Sequence, residues 1–279
     1  MRAMLLGAGG MLGHDLAATV PATVTLFPYT KAELDITDEK ALAATIATVK
    51  PDVVINAAAY TAVDRAETER DLAFRVNAEA VGALGRIARS NGARVIHFST
   101  DYVFDGEAID PYTEESPTNP VNMYGASKLA GENALRQSEA DSLIIRTQWL
   151  FGVHGKSFPR TMWERAKASL QTKVVRDQTG RPTYAEDLAE AVWTLAQRGA
   201  RGVLHVANDG NATWFELANH IFTRLDRSTL LSSCLTVEYP TAARRPRYSV
   251  LATTQLEQDM RGALPAWRAA VDRFLRSVT

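Results

Sequence analysis

Short apolar runs alternate with stretches of helical spacing through the first half of the chain. Ala3-Met4-Leu5-Leu6, Val24 to Phe27, Val53-Val54-Ile55, Arg94 to Phe98 and Leu143-Ile144-Ile145 read as strands. Helical patterns are predicted over Met11 to Ala18, from a cap at Asp38 to about Val49, and from about Arg70 to Ser90. In the last of these, Leu72, Val76, Leu84, Ile87 and Ala88 fall near helical spacing. An aspartate suits the cap because its carboxylate accepts a first-turn N–H. Pro51 and Asn91-Gly92 mark exits. The strand runs are continuous rather than alternating, as in strands buried on both faces of a parallel sheet. Strand–helix alternation of this kind predicts an α/β fold with a Rossmann-like, doubly wound parallel sheet.

The second half is less regular. Thr183…Glu186 and Thr213…Glu216 each fit a capping box ahead of an apolar helix. Gly202 to Val206 reads as a strand. Tyr239 to Ser249, with two prolines and three arginines, reads as a loop. Ala266 to Val278 reads as a closing amphipathic helix with Trp267, Val271, Phe274 and Leu275 on one side. With no repeats or linkers, two lobes packed together are expected.

Composition narrows the function classes. Hydrophobic residues at 46% supply a sizeable core, so global disorder is excluded. A net charge of −1 gives no general attraction to nucleic acid or an anionic membrane, and neither is expected as a partner. No apolar stretch approaches the ~20 residues that span a bilayer. Arg2 and the run Ala3 to Leu12 have the outline of a signal peptide, but glycines, His14 and Asp15 break it. One cysteine, Cys234, excludes an internal disulfide framework, and the five histidines form no HxxxH or HxH pair. A reducing, cytoplasmic location is expected.

The first strand runs into Gly7-Ala8-Gly9-Gly10-Met11-Leu12-Gly13, with Gly7, Gly10 and Gly13 spaced GxxGxxG between strand and helix. A pyrophosphate needs a tight turn, a backbone bare of Cβ atoms and N–H groups at a helix start, and this turn offers all three. A nicotinamide dinucleotide is therefore expected, with Gly7, Gly10, Met11 and Leu12 against it. The second strand ends in Phe27-Pro28-Tyr29-Thr30-Lys31, without an acid to take a ribose 2′-hydroxyl. NADPH is thus permitted and mildly favoured over NADH. Asp35 suits an adenine contact, and Asp38 a helix cap. Tyr124-Gly125-Ala126-Ser127-Lys128 is YxxxK, which puts Tyr124 and Lys128 on one helical face. A nearby ammonium is expected to lower the tyrosine pKa. Thr100, at the end of the fourth strand, is placed to orient a substrate oxygen.

These residues together resemble the extended short-chain dehydrogenase/reductase family. The stretches NAAAYTAVDRAE from Asn56, STDYVF from Ser99, YGASKLAGE from Tyr124, DQTGRPT from Asp177 and YPTAARRPRYS from Tyr239 are similar to its dTDP-4-dehydrorhamnose reductase branch. The resemblance spans nearly the whole chain. It implies a Rossmann domain over 1–150 and 184–207 and a smaller C-terminal substrate-binding lobe over 151–183 and 208–279. It implies that Tyr124 protonates the keto oxygen of a nucleotide-linked sugar, dTDP-4-dehydro-6-deoxy-L-mannose, as NADPH or NADH reduces its C4 to give dTDP-L-rhamnose. Thr100 would polarise the carbonyl, and Lys128 would bind the nicotinamide ribose and tune Tyr124. Ala57, Ala58 and Ala59 would join the glycine turn and Asp35 at the cofactor. Asp101, Tyr102 and Trp149 would touch substrate, Trp149 over a sugar face or, alternatively, as a core tryptophan. Arg244, Arg245 and Arg247 form the densest arginine cluster, and Arg245 is the expected diphosphate ligand; a solvated basic loop is the alternative.

Some members of the branch form dimers bridged by magnesium on glutamates. Here Asp15 and Glu186 take such positions, but the closing helix carries only Asp272, so no metal is expected and homodimerisation is left open. Two other functions share the core. A dehydratase would place Asp-Glu after Thr100, whereas Asp101 is followed by Tyr102; an epimerase is harder to separate. A non-catalytic NADP-binding regulatory subunit is disfavoured by the intact Thr100, Tyr124 and Lys128.

Overall fold

The computed structural model describes residues 1–278. Its first half runs β1 (Arg2–Leu6), α1 (Met11–Ala18), β2 (Thr25–Tyr29), α2 (Glu39–Val49), β3 (Val53–Asn56), α3 (Arg70–Phe74), α4 (Ala80–Ser90), β4 (Arg94–Thr100), α5 (Met123–Gln137) and β5 (Ser142–Thr147). It continues through β6 (Leu150–Phe151), α6 (Phe158–Lys167), β7 (Thr172–Val175), β8 (Thr179–Gly180), β9 (Thr183–Tyr184), α7 (Ala185–Arg198) and β10 (Gly202–His205). The last elements are β11 (Ala212–Thr213), α8 (Trp214–Arg224), β12 (Leu231–Cys234), α9 (Thr254–Met260) and α10 (Trp267–Val278).

Six strands form one parallel sheet in the order β10-β5-β4-β3-β1-β2. Strand geometry sends successive side chains to opposite faces, and each face meets a helical layer. Ala3 and Leu5 of β1 pack with Leu12 and Leu16 of α1 and Leu188 and Val192 of α7. Met4 and Leu6 pack with Leu42 of α2, Leu84 of α4 and Leu135 of α5 on the other side. Burial on both faces explains the unbroken apolar runs, and the doubly wound expectation holds. A third cluster unites Met162 of α6, Leu217 and Phe222 of α8, and Trp267 and Phe274 of α10. Short two-stranded pairs (β11-β8, β12-β7 and β6-β9) frame it.

Some elements differ from expectation for local reasons. β2 reaches Tyr29 and contains Pro28; as an edge strand it loses no ladder bond that matters. The helix expected over Arg70 to Ser90 is broken by a π turn, Arg75–Glu79. There the buried Asn77 accepts from Tyr60 N at 2.8 Å and donates to Tyr60 O at 3.0 Å and to Ser127 Oγ at 2.9 Å. These bonds tie the π turn to the loop after β3 and to α5. The Thr213–Glu216 capping box forms, with Glu216 N donating to Thr213 Oγ1 at 3.1 Å and Thr213 N to Glu216 Oε2 at 2.7 Å. The Thr183 box does not: Thr183 sits in β9, and Tyr184, at the N-cap of α7, makes no side-chain cap. Asp38 caps α2 through Ala41 N at 3.0 Å.

Candidate active site

The sheet reverses winding between β1 and β3, and ligands of open α/β sheets bind in the crevice at that point. Gly7 opens the turn there with φ +78°, and Gly10 N donates to Gly7 O at 3.0 Å. A Cβ on Gly7 would sit 2.6 Å from Ala58 N, and one on Gly13 would strike the carbonyl of Gly7. No side chain caps α1 at Gly10, so backbone N–H groups alone dress its positive end.

Three adjoining cavities make one cleft. The first, about 490 Å³, is bordered by Gly7, Gly10, Lys31, Asp35, Ala58 and Tyr60. The second, about 390 Å³, is bordered by Met11, Thr100, Asp101, Tyr124, Lys128 and Trp149, and shares Gly10, Ala57 and Ala59 with the first. Leu12 also borders it. The third, about 700 Å³, is bordered by Arg165, Lys173, Gln178, Tyr239 and Arg245, and shares Tyr102 and Trp214 with the second. The cleft thus brings together the glycine turn at Gly7 and Gly10, Met11, Leu12, Asp35, Ala57 to Ala59, Thr100, Asp101, Tyr102, Tyr124, Lys128, Trp149 and Arg245; Arg244, Arg247, Asp15, Glu186 and Asp272 do not border it.

In the first cavity, Asp35 accepts from Thr37 N at 2.9 Å and Thr37 Oγ1 at 2.8 Å; the backbone bond chiefly holds its carboxyl below the usual range. The strand end carries no acid, but Asp35 Oδ2, four residues on in the following loop, lies 3.8 Å from Lys31 Nζ. Glu33, passed over in the sequence, accepts from Thr30 N and Oγ1, each at 2.8 Å, so this acid is tied to the strand end.

In the second cavity, Asn122 caps α5 through Gly125 N at 2.8 Å and so sets Tyr124 in the first turn. Tyr102 meets the Tyr124 ring edge-on at 5.9 Å. The expectation of a lowered phenol pKa is overturned. Burial pushes Tyr124 up to about 12, Thr100 opposing by a hydrogen bond and Asp101 reinforcing by its charge. Burial likewise lowers Lys128 to about 8, although Glu132 opposes it. Lys128 Nζ is turned toward His97 Nε2, 3.4 Å away. The result keeps Tyr124 protonated at neutral pH, the form required of a proton donor. Thr100 Oγ1 donates to Asp101 Oδ1 at 3.1 Å, and burial raises the Asp101 carboxyl to about 7.

Trp149 adopts φ +49° and stacks on Trp214, centroids 3.5 Å apart and planes 10° from parallel. A Cβ on Gly180 would lie 2.6 Å from the Trp149 ring, so a glycine is needed beneath it. Trp214 Nε1 donates to Gln178 Oε1 at 3.2 Å. The two indoles form the wall between the second and third cavities.

Arg245 borders the third cavity with its guanidinium forked on Asp64: Nη1 to Oδ1 and Nη2 to Oδ2, each 2.8 Å. Arg244 pairs with Glu107 at 2.9 Å, and Arg247 is exposed; neither borders the cleft. Arg165, Lys173, Gln178 and Trp214 were not singled out in the sequence. The two cations lie on an amphipathic helix and a short strand, where they look like ordinary surface charges. Asp272, the only acid of the closing helix, accepts from His220 at 2.8 Å and Arg224 Nε at 2.9 Å. Among the described residues no group of three or more His, Cys, Asp or Glu is arranged to hold a metal, and no helix is long and apolar enough to cross a membrane.

The family model described as RmlD substrate binding domain matches residues 1–279. A dTDP-4-dehydrorhamnose reductase of Burkholderia thailandensis is 39% identical over 100% of this chain and 99% of its own. The Escherichia coli protein of that name is 36% identical over 100% and 98%. Among solved structures, the Bacillus anthracis dTDP-4-dehydrorhamnose reductase in complex with NADP superposes with a TM-score of 0.95 at 35% identity, covering 99% of each chain. A Thermus thermophilus UDP-glucose 4-epimerase, at 20% identity with a TM-score of 0.82, covers 99% of each chain and shares the fold alone. Matched end to end by that family model and by reductases above the 30% level, this chain belongs to the dTDP-4-dehydrorhamnose reductase family of extended short-chain dehydrogenase/reductases.

Proposed function

We propose that the protein catalyses the NAD(P)H-dependent reduction of the C4 ketone of dTDP-4-dehydro-6-deoxy-L-mannose to dTDP-L-rhamnose. The observation that carries this reading is one cleft with a glycine cradle at one end, a protonated tyrosine beside a threonine hydroxyl in the middle, and a cationic chamber at the other. The cradle fits a dinucleotide pyrophosphate, because Cβ atoms at Gly7 and Gly13 would fill it. Bound NADPH or NADH supplies the hydride. Met11, Leu12, Asp35, Ala57, Ala58 and Ala59 border the room for the rest of the cofactor.

Around the ketone, Thr100 turns its hydroxyl from Asp101 to donate a hydrogen bond to the oxygen, and Tyr124 delivers the proton as charge develops there. Lys128 holds the nicotinamide ribose and places positive charge behind Tyr124. Trp149, backed by Trp214, offers a flat apolar face to the sugar, with Asp101 and Tyr102 across from it. The third chamber takes the nucleotide diphosphate near Arg245, Arg165 and Lys173. Because Asp64 occupies the Arg245 fork, that arginine acts as an oriented charge rather than a bidentate clamp. The cofactor side comprises 1–150 with 184–207, and the substrate side 151–183 with 208–279. The reaction takes place in the cytoplasm.

A panel of dTDP-, UDP- and GDP-linked 4-keto-6-deoxy sugars, with nicotinamide oxidation followed by absorbance, tests the assignment. The dTDP-linked 4-keto sugar is expected to turn over fastest, with NADPH at least as effective as NADH. No turnover of any 4-keto sugar overturns the assignment, and exclusive use of NADH overturns the cofactor preference. Gly13→Ala is expected to weaken NADPH binding at least about tenfold, because the new methyl meets backbone of Gly7 and Ala8 that must move away from the pyrophosphate seat. Fluorescence titration with NADPH reads this, and unchanged affinity removes the cradle from the cofactor site.

A further inference from the structure

The YxxxK pair leaves one polar chain beneath it without a role. β3 and β4 pair with Asn56 beside His97, and both residues face the layer that contains α5. All of Asn56, His97 and Lys128 are buried, with at most 2% exposure. Ala58 N donates to Asn56 Oδ1 at 3.2 Å, which fixes the amide orientation. Asn56 Nδ2, a donor, then faces His97 Nδ1 at 3.2 Å. Nδ1 must accept, and burial together with Lys128 keeps the imidazole neutral. Its single hydrogen is left on Nε2, the atom 3.4 Å from Lys128 Nζ.

Resting on the reductase reading of Lys128, we propose that Asn56 and His97 are a positioning pair: the amide fixes the imidazole tautomer so that an N–H donor, not a lone pair, faces the lysine amine. A neutral amine accepts that hydrogen, whereas an ammonium meets it donor to donor. The pair therefore opposes the charged lysine and sets the pH above which the site loses its cation. Around Lys128 stand Tyr124 and Glu132 on its own helix, His97 on β4, Arg146 on β5 and Asp101 after β4. Glu132 is bonded to Arg146 and Ser99, and Asp101 to Thr100. Glu67 holds Met123 N at the helix start. The charged residues Arg70, Asp71, Arg75, Glu79, Arg86 and Arg89 on the helical segments packed against α5 are exposed.

Three measurements on the full chain test the pair. In nitrogen-15 NMR of histidine-labelled protein, without cofactor or substrate, His97 is expected as the neutral Nε2–H tautomer at pH 7. An Nδ1–H tautomer or an imidazolium overturns the proposal whatever the enzyme's substrate proves to be. In the pH profile of kcat, His97→Leu is expected to move the alkaline limb up by on the order of one unit, tenfold in proton affinity. His97→Gln, which accepts from Asn56 and still turns an N–H to the lysine, keeps the limb near the wild-type position. Equal behaviour of the two variants, which share Asp101 and Glu132, overturns the donor role and leaves only packing. Should His97→Leu fail to fold, Asn56→Asp decides. Its carboxylate keeps the Ala58 bond and is expected to draw the hydrogen to Nδ1, and an unmoved hydrogen overturns the proposal.

Discussion

Tyr124→Phe is expected to lower kcat by roughly 10²–10⁴-fold, the usual worth of a positioned general acid. The substitution removes one oxygen. The ring keeps its edge-on contact with Tyr102, Asn122 still caps α5, and Thr100 keeps its bond to Asp101. What disappears is the proton that burial holds on the phenol well above neutral pH. NADPH affinity is expected to be unchanged, because the glycine cradle lies at the far end of the cleft. Stopped-flow single turnover with saturating cofactor separates the two quantities. A variant that reduces the ketone at near wild-type rate shows that another group delivers the proton.

Glu132→Gln is expected to cost about 3–5 kcal/mol of stability, the price of stranding a buried charge. Glu132 is fully buried on α5. It accepts from Ser99 Oγ at 2.5 Å, Arg146 Nε at 2.9 Å, Arg146 Nη2 at 2.8 Å and Arg136 Nη2 at 3.2 Å. The neutral amide leaves the Arg146 guanidinium, itself 2% exposed, without a counter-charge and turns an N–H toward it. Thermal unfolding is expected to drop by roughly 10 °C. Glu132→Met combined with Arg146→Met removes both charges and is expected to recover much of the loss, since a matched apolar pair avoids desolvating either ion. If the single and double variants melt together, the pair is not what holds α5 to the sheet.

The sheet was legible because its chemistry is local: Met4 and Leu6 go to one helical layer, Ala3 and Leu5 to the other, and no polar residue interrupts Ala3 to Leu6. The glycine turn and Thr100, Tyr124 and Lys128 were legible for a similar reason, each being a short motif at an element boundary. The pKa of Tyr124 was not, because spacing shows that Lys128 is near but not that its amine points to His97 or that burial outweighs its charge. Within Arg94–Thr100 the polar residues His97 and Ser99 follow Val95 at intervals of two, which put both against α5. That periodicity was in the sequence, and only the partners Lys128 and Glu132 gave it meaning. Arg245 was legible as part of the densest arginine cluster, yet its partner Asp64 lies 181 positions away, beyond any reading of local pattern.

That separation bears on how the enzyme comes into being. The glycine turn, Thr100, Tyr124 and Lys128 all lie in the first half of the chain, yet Asp64 waits for Arg245 and Asn122 for the carbonyl of Arg244, contacts 181 and 122 positions long. Contacts of such length close slowly, because the chain must surrender the most freedom before it gains them. A ribosome-bound fragment ending before Tyr239 carries Thr100, Tyr124 and Lys128 but not the loop that reaches back to Asp64. The contacts that seat this loop against Asp64 and Asn122 therefore form late, only once the chain beyond Tyr239 has emerged.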